Sequence, residues 1–215
     1  MNGDRLLIAD DHPLTREGLS LAARAAFPGA QAIGVGTVGE AVAALQSRST
    51  IRLILLDYAL PDSEGFRGLM RVLHVADGVP VLIVTASDRP GLAEGAMALG
   101  AAGFLPKTLP LDEISGILRK VLSGQRYFPE ALAPAAPLAA ARERIAGLSR
   151  AQHAVLLALA DGRSNKQIAY DLSVTEATVK AHLTAVFRKL RVTNRTQALL
   201  AIRPLLEDPA SGQGG

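Results

Sequence analysis

Leu53-Ile54-Leu55-Leu56 followed by Asp57 constrains this chain more than any other stretch: an unbroken apolar run ended by a carboxylate. A run with no polar alternation is buried on both faces, which places it inside a parallel sheet. In an open α/β sheet, the C-terminal tips of such strands line the site of chemistry. The pattern recurs. Residues 6–9 end in Asp10 and Asp11, residues 81–84 end in the hydroxyl of Thr85, and residues 103–105 lead through Pro106 to the amine of Lys107. Residues 31–35 make a further strand. Amphipathic helical patterns fall between and after the strands at 14–25, 38–46, 65–75, 92–99 and 111–122. Strict βα alternation predicts an α/β doubly wound, flavodoxin-like domain over residues 4–125, with a five-stranded parallel sheet covered on both faces.

Three acids, a hydroxyl and an amine at strand ends are the parts of a phosphoryl-transfer site. Carboxylates held together repel, by about 1 kcal/mol per pair at ~4 Å in water and more when buried, and a divalent cation relieves the repulsion. All-oxygen donors point to Mg²⁺. Asp57 then serves as nucleophile, Lys107 as the cation on the remaining phosphoryl oxygens and Thr85 as a hydrogen-bond partner, with an acyl phosphate as product. His12 is a loop residue beside the site, and His74 and His153, on helical patterns, are structural.

The net charge of +3 is unevenly spread. Residues 1–127 carry 12 Lys/Arg and 13 Asp/Glu, whereas residues 148–215 carry 9 and 5. The basic surplus of the C-terminal third suits a polyanion. Between the two regions, residues 126–147 are rich in Ala and Pro and read as a linker of intermediate stiffness, because three prolines preclude one continuous helix. There is no cysteine, and neither a signal peptide nor a ~20-residue apolar span is evident. The expectation is a cytoplasmic protein without membrane association.

From Leu148 onward the pattern is helical. Ser149-Arg150-Ala151-Gln152 and Ser164-Asn165-Lys166-Gln167 have capping-box form. They open helices ending near 160 and 172, followed by the turn Ser173-Val174-Thr175, a longer helix over 176–191 and a last one over 197–206. This is a helix-turn-helix arrangement within 148–206. Winding the long helix at 100° per residue puts Val179, Leu183, Val186 and Leu190 on a core stripe. Lys180, Thr184, Arg188 and Arg191 fall on an outer one, with Ala177 and Ala181 beside them. Small and basic residues on one exposed face suit a major groove. Residues 207–215 read as a disordered tail.

Asp10-Asp11, the segment Asp57-Tyr58-Ala59-Leu60-Pro61-Asp62-Ser63-Glu64-Gly65, Thr85-Ala86 and Gly103-Phe104-Leu105-Pro106-Lys107 together resemble the receivers of two-component response regulators. Asp161-Gly162-Arg163-Ser164-Asn165-Lys166-Gln167-Ile168-Ala169, Thr178-Val179-Lys180-Ala181-His182-Leu183 and Lys189-Leu190-Arg191-Val192 resemble the all-α, four-helix LuxR-type (NarL/FixJ) helix-turn-helix. The resemblance implies that Asp57 takes a phosphoryl group from a phosphohistidine on a cognate histidine kinase. It implies Mg²⁺ held by Asp11, Asp57 and the Ala59 carbonyl, with Asp10 acting mainly through water. Thr85 and Phe104 would be the switch pair, moving toward the phosphoryl group and inward respectively. Lys180, Ala181 and Thr184, with Thr178 beside them, would face bases or nearby backbone of double-stranded DNA, and Lys166, Arg188 and Lys189 would meet phosphates. Two departures matter. Gln152 stands where relatives often carry Glu, which removes a charge and any ion pair it makes. Thr184 stands where some carry a basic residue, so their operators cannot be borrowed.

The expected protein is therefore a phosphorylation-dependent transcription regulator. It catalyses only its own phosphorylation and dephosphorylation, and is not an enzyme in the ordinary sense. Phosphorylation would act through homodimerisation or through release of a masked DNA-binding helix. The last helix, with Leu199, Leu200 and Ile202 exposed and Pro204 limiting it to two turns, would join DNA-binding modules. Alternatives are an aspartate-nucleophile phosphohydrolase, whose D-x-D motif at the first strand is not matched, and a regulator that binds DNA without phosphorylation.

Overall fold

The computed structural model describes residues 4–47, 50–89, 91–129, 143–145, 147–172 and 174–206. Most of the Ala/Pro stretch, Ser173 of the expected turn and the C-terminal tail lie outside the described residues. The first unit contains strands β1 (Arg5–Ala9), β2 (Gln31–Val35), β3 (Ile51–Asp57), β4 (Val81–Thr85) and β5 (Gly103–Pro106). Helices α1 (Pro13–Ala26), α2 (Val38–Gln46), α3 (Arg67–Val75), α4 (Leu92–Leu99) and α5 (Leu111–Leu122) follow the strands in turn. The strands pair in parallel in the order β2-β1-β3-β4-β5.

Period-two side-chain alternation divides the apolar runs between two faces. Leu6, Ile8, Leu53, Leu55, Leu82 and Val84 pack with Leu19 and Ala22 of α1 and Ile114, Ile117 and Leu118 of α5. Leu7, Ile54, Leu56 and Ile83 pack on the other side with Val38, Leu69, Val72, Leu92 and Ala96 of α2, α3 and α4. The strand tips are thereby brought side by side along one edge.

The second unit comprises α6 (Arg150–Ala160), α7 (Asn165–Asp171), α8 (Glu176–Leu190) and α9 (Arg195–Leu206). Both expected capping boxes form, at Ser149 with Gln152 and at Ser164 with Gln167. Val179, Leu183, Val186 and Leu190 are buried as the helical winding predicts, against Val155, Leu156, Leu159 and Ile168. The last helix departs from expectation twice. Ile202 is fully buried and Leu199 packs on the core, so only Leu200 of the three is exposed. The inward stripe is Ala198 and Ile202, four residues apart and so on one helix face. The helix also continues through Pro204 to Leu206, so the proline does not end it after two turns.

The two units touch. Met70 of α3 is buried in the same cluster as Leu148, Val155 and Leu157 of the helical unit. Beside it, Leu73, His74 and Leu99 face His153 and Leu157 across a cavity of about 60 Å³. Burial holds the His153 imidazole below its ordinary value of 6.5; His74 and Lys189 add to that effect, and a hydrogen bond to the Ile145 backbone opposes it. A folded value depressed in this way means that the opened chain takes up the proton first, so the docked fold loses stability as pH falls. The contact of α3 with α6 is expected to be complete above 6.5 and to loosen as pH falls from there through the folded value. Amide exchange at Met70 and Leu157 measures it, and His153→Gln should flatten the dependence.

Candidate functional site

The tips of β1, β3, β4 and β5 deliver their polar groups to one mouth. Asp10 and Asp57 are 0% and 5% exposed, and Thr85 is 2% exposed. Carboxylates so withdrawn from water need a counter-charge. Lys107 provides it: its Nζ lies 2.6 Å from Asp10 Oδ2 and 2.7 Å from Asp57 Oδ2. Burial of the amine pulls its pKa down, but the hydrogen bonds and charges of Asp10 and Asp57 outweigh this, and the net shift is upward from 10.5. Backbone geometry puts the amine there. The Lys107 N–H donates to the Thr85 carbonyl at 2.7 Å, fixing the residue after β5 against the end of β4.

Asp11 is exposed at the rim, and its Oδ1 is 2.7 Å from His12 Nδ1. The His12 N–H donates to Asp10 Oδ1 at 2.9 Å. Ligand atoms of Asp10, Asp11, His12 and Asp57 all lie within 4.8 Å of one another. Three carboxylates in such a group suit a hard divalent cation, and His12 stands closer to the donors than a plain loop residue would. The Ala59 N–H donates to Asp57 Oδ1 at 3.2 Å, so the turn after the strand orients the carboxylate. Thr85 Oγ1 accepts from the Ser87 N–H at 3.0 Å. Phe104 is already buried in the core cluster.

On the helical unit, Lys180, Ala181, Thr184 and Arg188 lie exposed on one side of α8, and Lys166 is exposed on α7. Thr175 caps α8 by accepting the Thr178 N–H at 3.1 Å, and the two hydroxyls are 2.8 Å apart. The Thr184 hydroxyl donates to the Lys180 carbonyl at 3.0 Å. Lys189 is exposed near the end of α8 and also makes contacts within the unit. Its amine donates to the Gly147 carbonyl, and to Gln152 Oε1 at 2.8 Å, pinning α8 to the start of α6. With Gln in place of Glu, the contact is a hydrogen bond from a charged amine to a neutral amide oxygen in place of an ion pair.

Residues 6–119 match the family described as "Response regulator receiver domain", and residues 146–202 match "Bacterial regulatory proteins, luxR family". The chain belongs to the response regulators that carry a LuxR-type DNA-binding domain. It is similar to the glycerol metabolism activator of Pseudomonas putida, at 35% identity over 92% of this chain and 94% of that one. It is also similar to the probable transcriptional regulatory protein NarL of Mycobacterium tuberculosis (31% identity, 95% and 96% covered). A LuxR family DNA-binding response regulator from Silicibacter pomeroyi aligns with 60% of this chain and 99% of its own, at 30% identity and a TM-score of 0.53. The RcsB–DNA complex shares the fold over 93% of this chain and 97% of its own, at 18% identity and a TM-score of 0.52. The protein is thus a DNA-binding transcriptional response regulator, and the phosphohydrolase alternative is set aside. Among the described residues, no helix is long and apolar enough to cross a membrane.

Two residues of this response regulator that sequence reasoning left unassigned hold its sites in place. Asp62, from the loop after β3, accepts the Val38 and Gly39 N–H groups at 2.8 and 2.9 Å, so a carboxylate caps the first turn of α2. Arg195, at the start of α9, donates to the Leu159 and Arg163 carbonyls at 3.0 Å each. Asp62 lies in the segment that follows Asp57, but its partner Val38 is 24 residues away. Lys107→Met should destabilise the receiver by on the order of 2 kcal/mol, below the cost of breaking a fully buried pair, because the amine keeps some solvent contact. Thermal melting in Mg²⁺-free buffer should register that loss, and millimolar Mg²⁺ should restore part of it.

Proposed function

We propose that this regulator is switched by phosphorylation of Asp57, supplied by a phosphohistidine on a partner histidine kinase in the cytoplasm. The observation that carries the reading is the contact of Lys107 with both Asp10 and Asp57 at the sheet's C-terminal edge. An Asp57 carboxylate oxygen attacks phosphorus, the P–N bond breaks and neutral imidazole leaves after taking up a proton, giving an acyl phosphate. Asp10, Asp11, Asp57 and the Ala59 carbonyl would hold Mg²⁺, which supplies charge neutralisation at the phosphoryl oxygens. The Lys107 ammonium transfers one of its contacts to a phosphoryl oxygen. The Thr85 hydroxyl turns from the Ser87 N–H toward the same group, and Phe104 repacks within the core. The Ala59 side chain offers nothing to orient a hydrolytic water, which favours slow self-dephosphorylation.

Between the two modes of control that the sequence leaves open, the geometry favours dimerisation. Lys180, Ala181, Thr184 and Arg188 are exposed although α6 of the same unit is docked on α3. A masked helix would be covered in that arrangement. One small module makes few base contacts, whereas two on half-sites about 34–36 Å apart supply the missing specificity. Leu200, 58% exposed on α9, is the apolar side chain offered for pairing of DNA-binding modules. Lys180, Ala181 and Thr184, with Thr178 at the helix start, form the base-facing side of α8, and Lys166 and Arg188 serve as phosphate contacts. Lys189, exposed beside Arg188, is a further phosphate candidate. The domain division taken with this reading is a receiver over 4–125, a linker over 126–147 whose first residues stay paired with the sheet, and a DNA-binding domain over 148–206.

Acetyl phosphate with Mg²⁺ should add one phosphoryl group to the chain, and Asp57→Asn should abolish it; intact-mass spectra with undiminished labelling of that variant would end the assignment. In titrations against salt, Arg188→Ala should weaken all DNA sequences alike and reduce the slope by about 0.9 per lost phosphate contact. Lys180→Ala should weaken specific DNA most, and an unchanged footprint would refute the orientation given to α8.

A further inference from the structure

The chain does not leave the sheet where α5 ends. After Gly124 it turns back along β5, and Tyr127 bridges Gly103 in parallel. The Tyr127 carbonyl accepts from the Phe104 N–H at 2.9 Å, and the Tyr127 N–H donates to the Ala102 carbonyl at 3.1 Å. Phe128 packs on the cluster that contains Phe104. Pro129, Thr85 and Phe104 line one open cavity of about 640 Å³. Tyr127, which the sequence assigns to the linker, is therefore hydrogen-bonded into the sheet.

Gly103 explains how this approach is possible. A Cβ at that position would lie 2.7 Å from the Tyr127 carbonyl oxygen. The residue is not among the glycines with positive φ, so the requirement is for space and not for an unusual backbone conformation. Glycine within a strand weakens it and is retained where another backbone comes close.

The hydrogen bonds form a continuous path. Lys107 N–H bonds to the Thr85 carbonyl, β5 carries the connection back to Phe104, and Phe104 N–H bonds to Tyr127. We propose that residues 126–129 act as an extra edge strand of the receiver that relays a change at Thr85 and Phe104 into the linker, and so to the DNA-binding domain. The relay rests on the reading of Asp57 and Thr85 given above. It differs from the α3–α6 contact in that it acts through the covalent connection between the units. A shift of Phe104 changes the bond that fixes the linker's root, and with it where the linker starts.

The test uses the full chain, with acetyl phosphate as donor and a DNA fragment selected by the unaltered protein from a random library. Gly103→Ala, which crowds the Tyr127 carbonyl, should leave Asp57 labelling intact. It should bring the ratio of DNA affinities with and without phosphorylation close to one, from the roughly 5–150-fold typical of allosteric coupling. Phe128→Ala, which loosens the same root without altering a residue of β5, should reduce the ratio in the same direction. In the unaltered protein, amide exchange at Phe104 and Tyr127 should change on phosphorylation while Leu7 and Leu55, deep in the sheet, do not. If Gly103→Ala fails to fold, the Phe128→Ala ratio and the exchange at Tyr127 decide. Normal labelling with an unaltered ratio in a folded variant overturns the relay, as does Tyr127 exchange unaffected by phosphorylation. Absent labelling of the unaltered chain would instead overturn the reading of Asp57.

Discussion

The ammonium of Lys107 between Asp10 and Asp57 is the interaction on which the receiver's working end depends. It joins residues from three separate strands, and it does so where water is largely excluded, so each carboxylate relies on it for compensation. The same residue ties β5 to β4 through its backbone. One residue therefore balances the charge of the site and also helps to hold the end of β5 against β4. A phosphoryl group entering this mouth adds negative charge to a site whose positive charge is already committed. The ammonium must be redistributed, and that local electrostatic event biases a two-state element.

Much of this was legible in the sequence, for definite reasons. Parallel strands buried on both faces read as unbroken apolar runs, which made β1, β3 and β4 visible and placed Asp10, Asp57 and Thr85 at their ends. The helix starts at Ser149 and Ser164 were visible because a capping box lies within four consecutive residues. The core stripe of α8 followed from helical winding alone, and Val179, Leu183, Val186 and Leu190 are buried.

What was not legible depends on partners far along the chain. Lys189 reads only as a basic residue on the long helix; that its amine also bonds Gly147 and Gln152 depends on residues at the start of α6. Leu199, Leu200 and Ile202 are alike as residue types. Which of them faces inward depends on how α9 is anchored, and Arg195 anchors it to carbonyls of α6 and the following turn. His74 and His153 look like ordinary helix residues until the docking of α3 on α6 brings them to one cavity. Tyr127 offers no signal beyond Gly103, whose meaning depends on the backbone beside it.

The Asp62 cap has a thermodynamic consequence for the loop that follows Asp57. A loop free in the resting state would have to surrender conformational freedom when the phosphoryl group arrived, at roughly 1–2 kcal/mol for each backbone residue fixed. Two hydrogen bonds from the first turn of α2 hold Asp62 instead, and Ala59 is bonded to the nucleophile itself. The ordering entropy of this segment is therefore lost when the receiver folds, and the acceptor meets its donor with the surrounding chain already arranged.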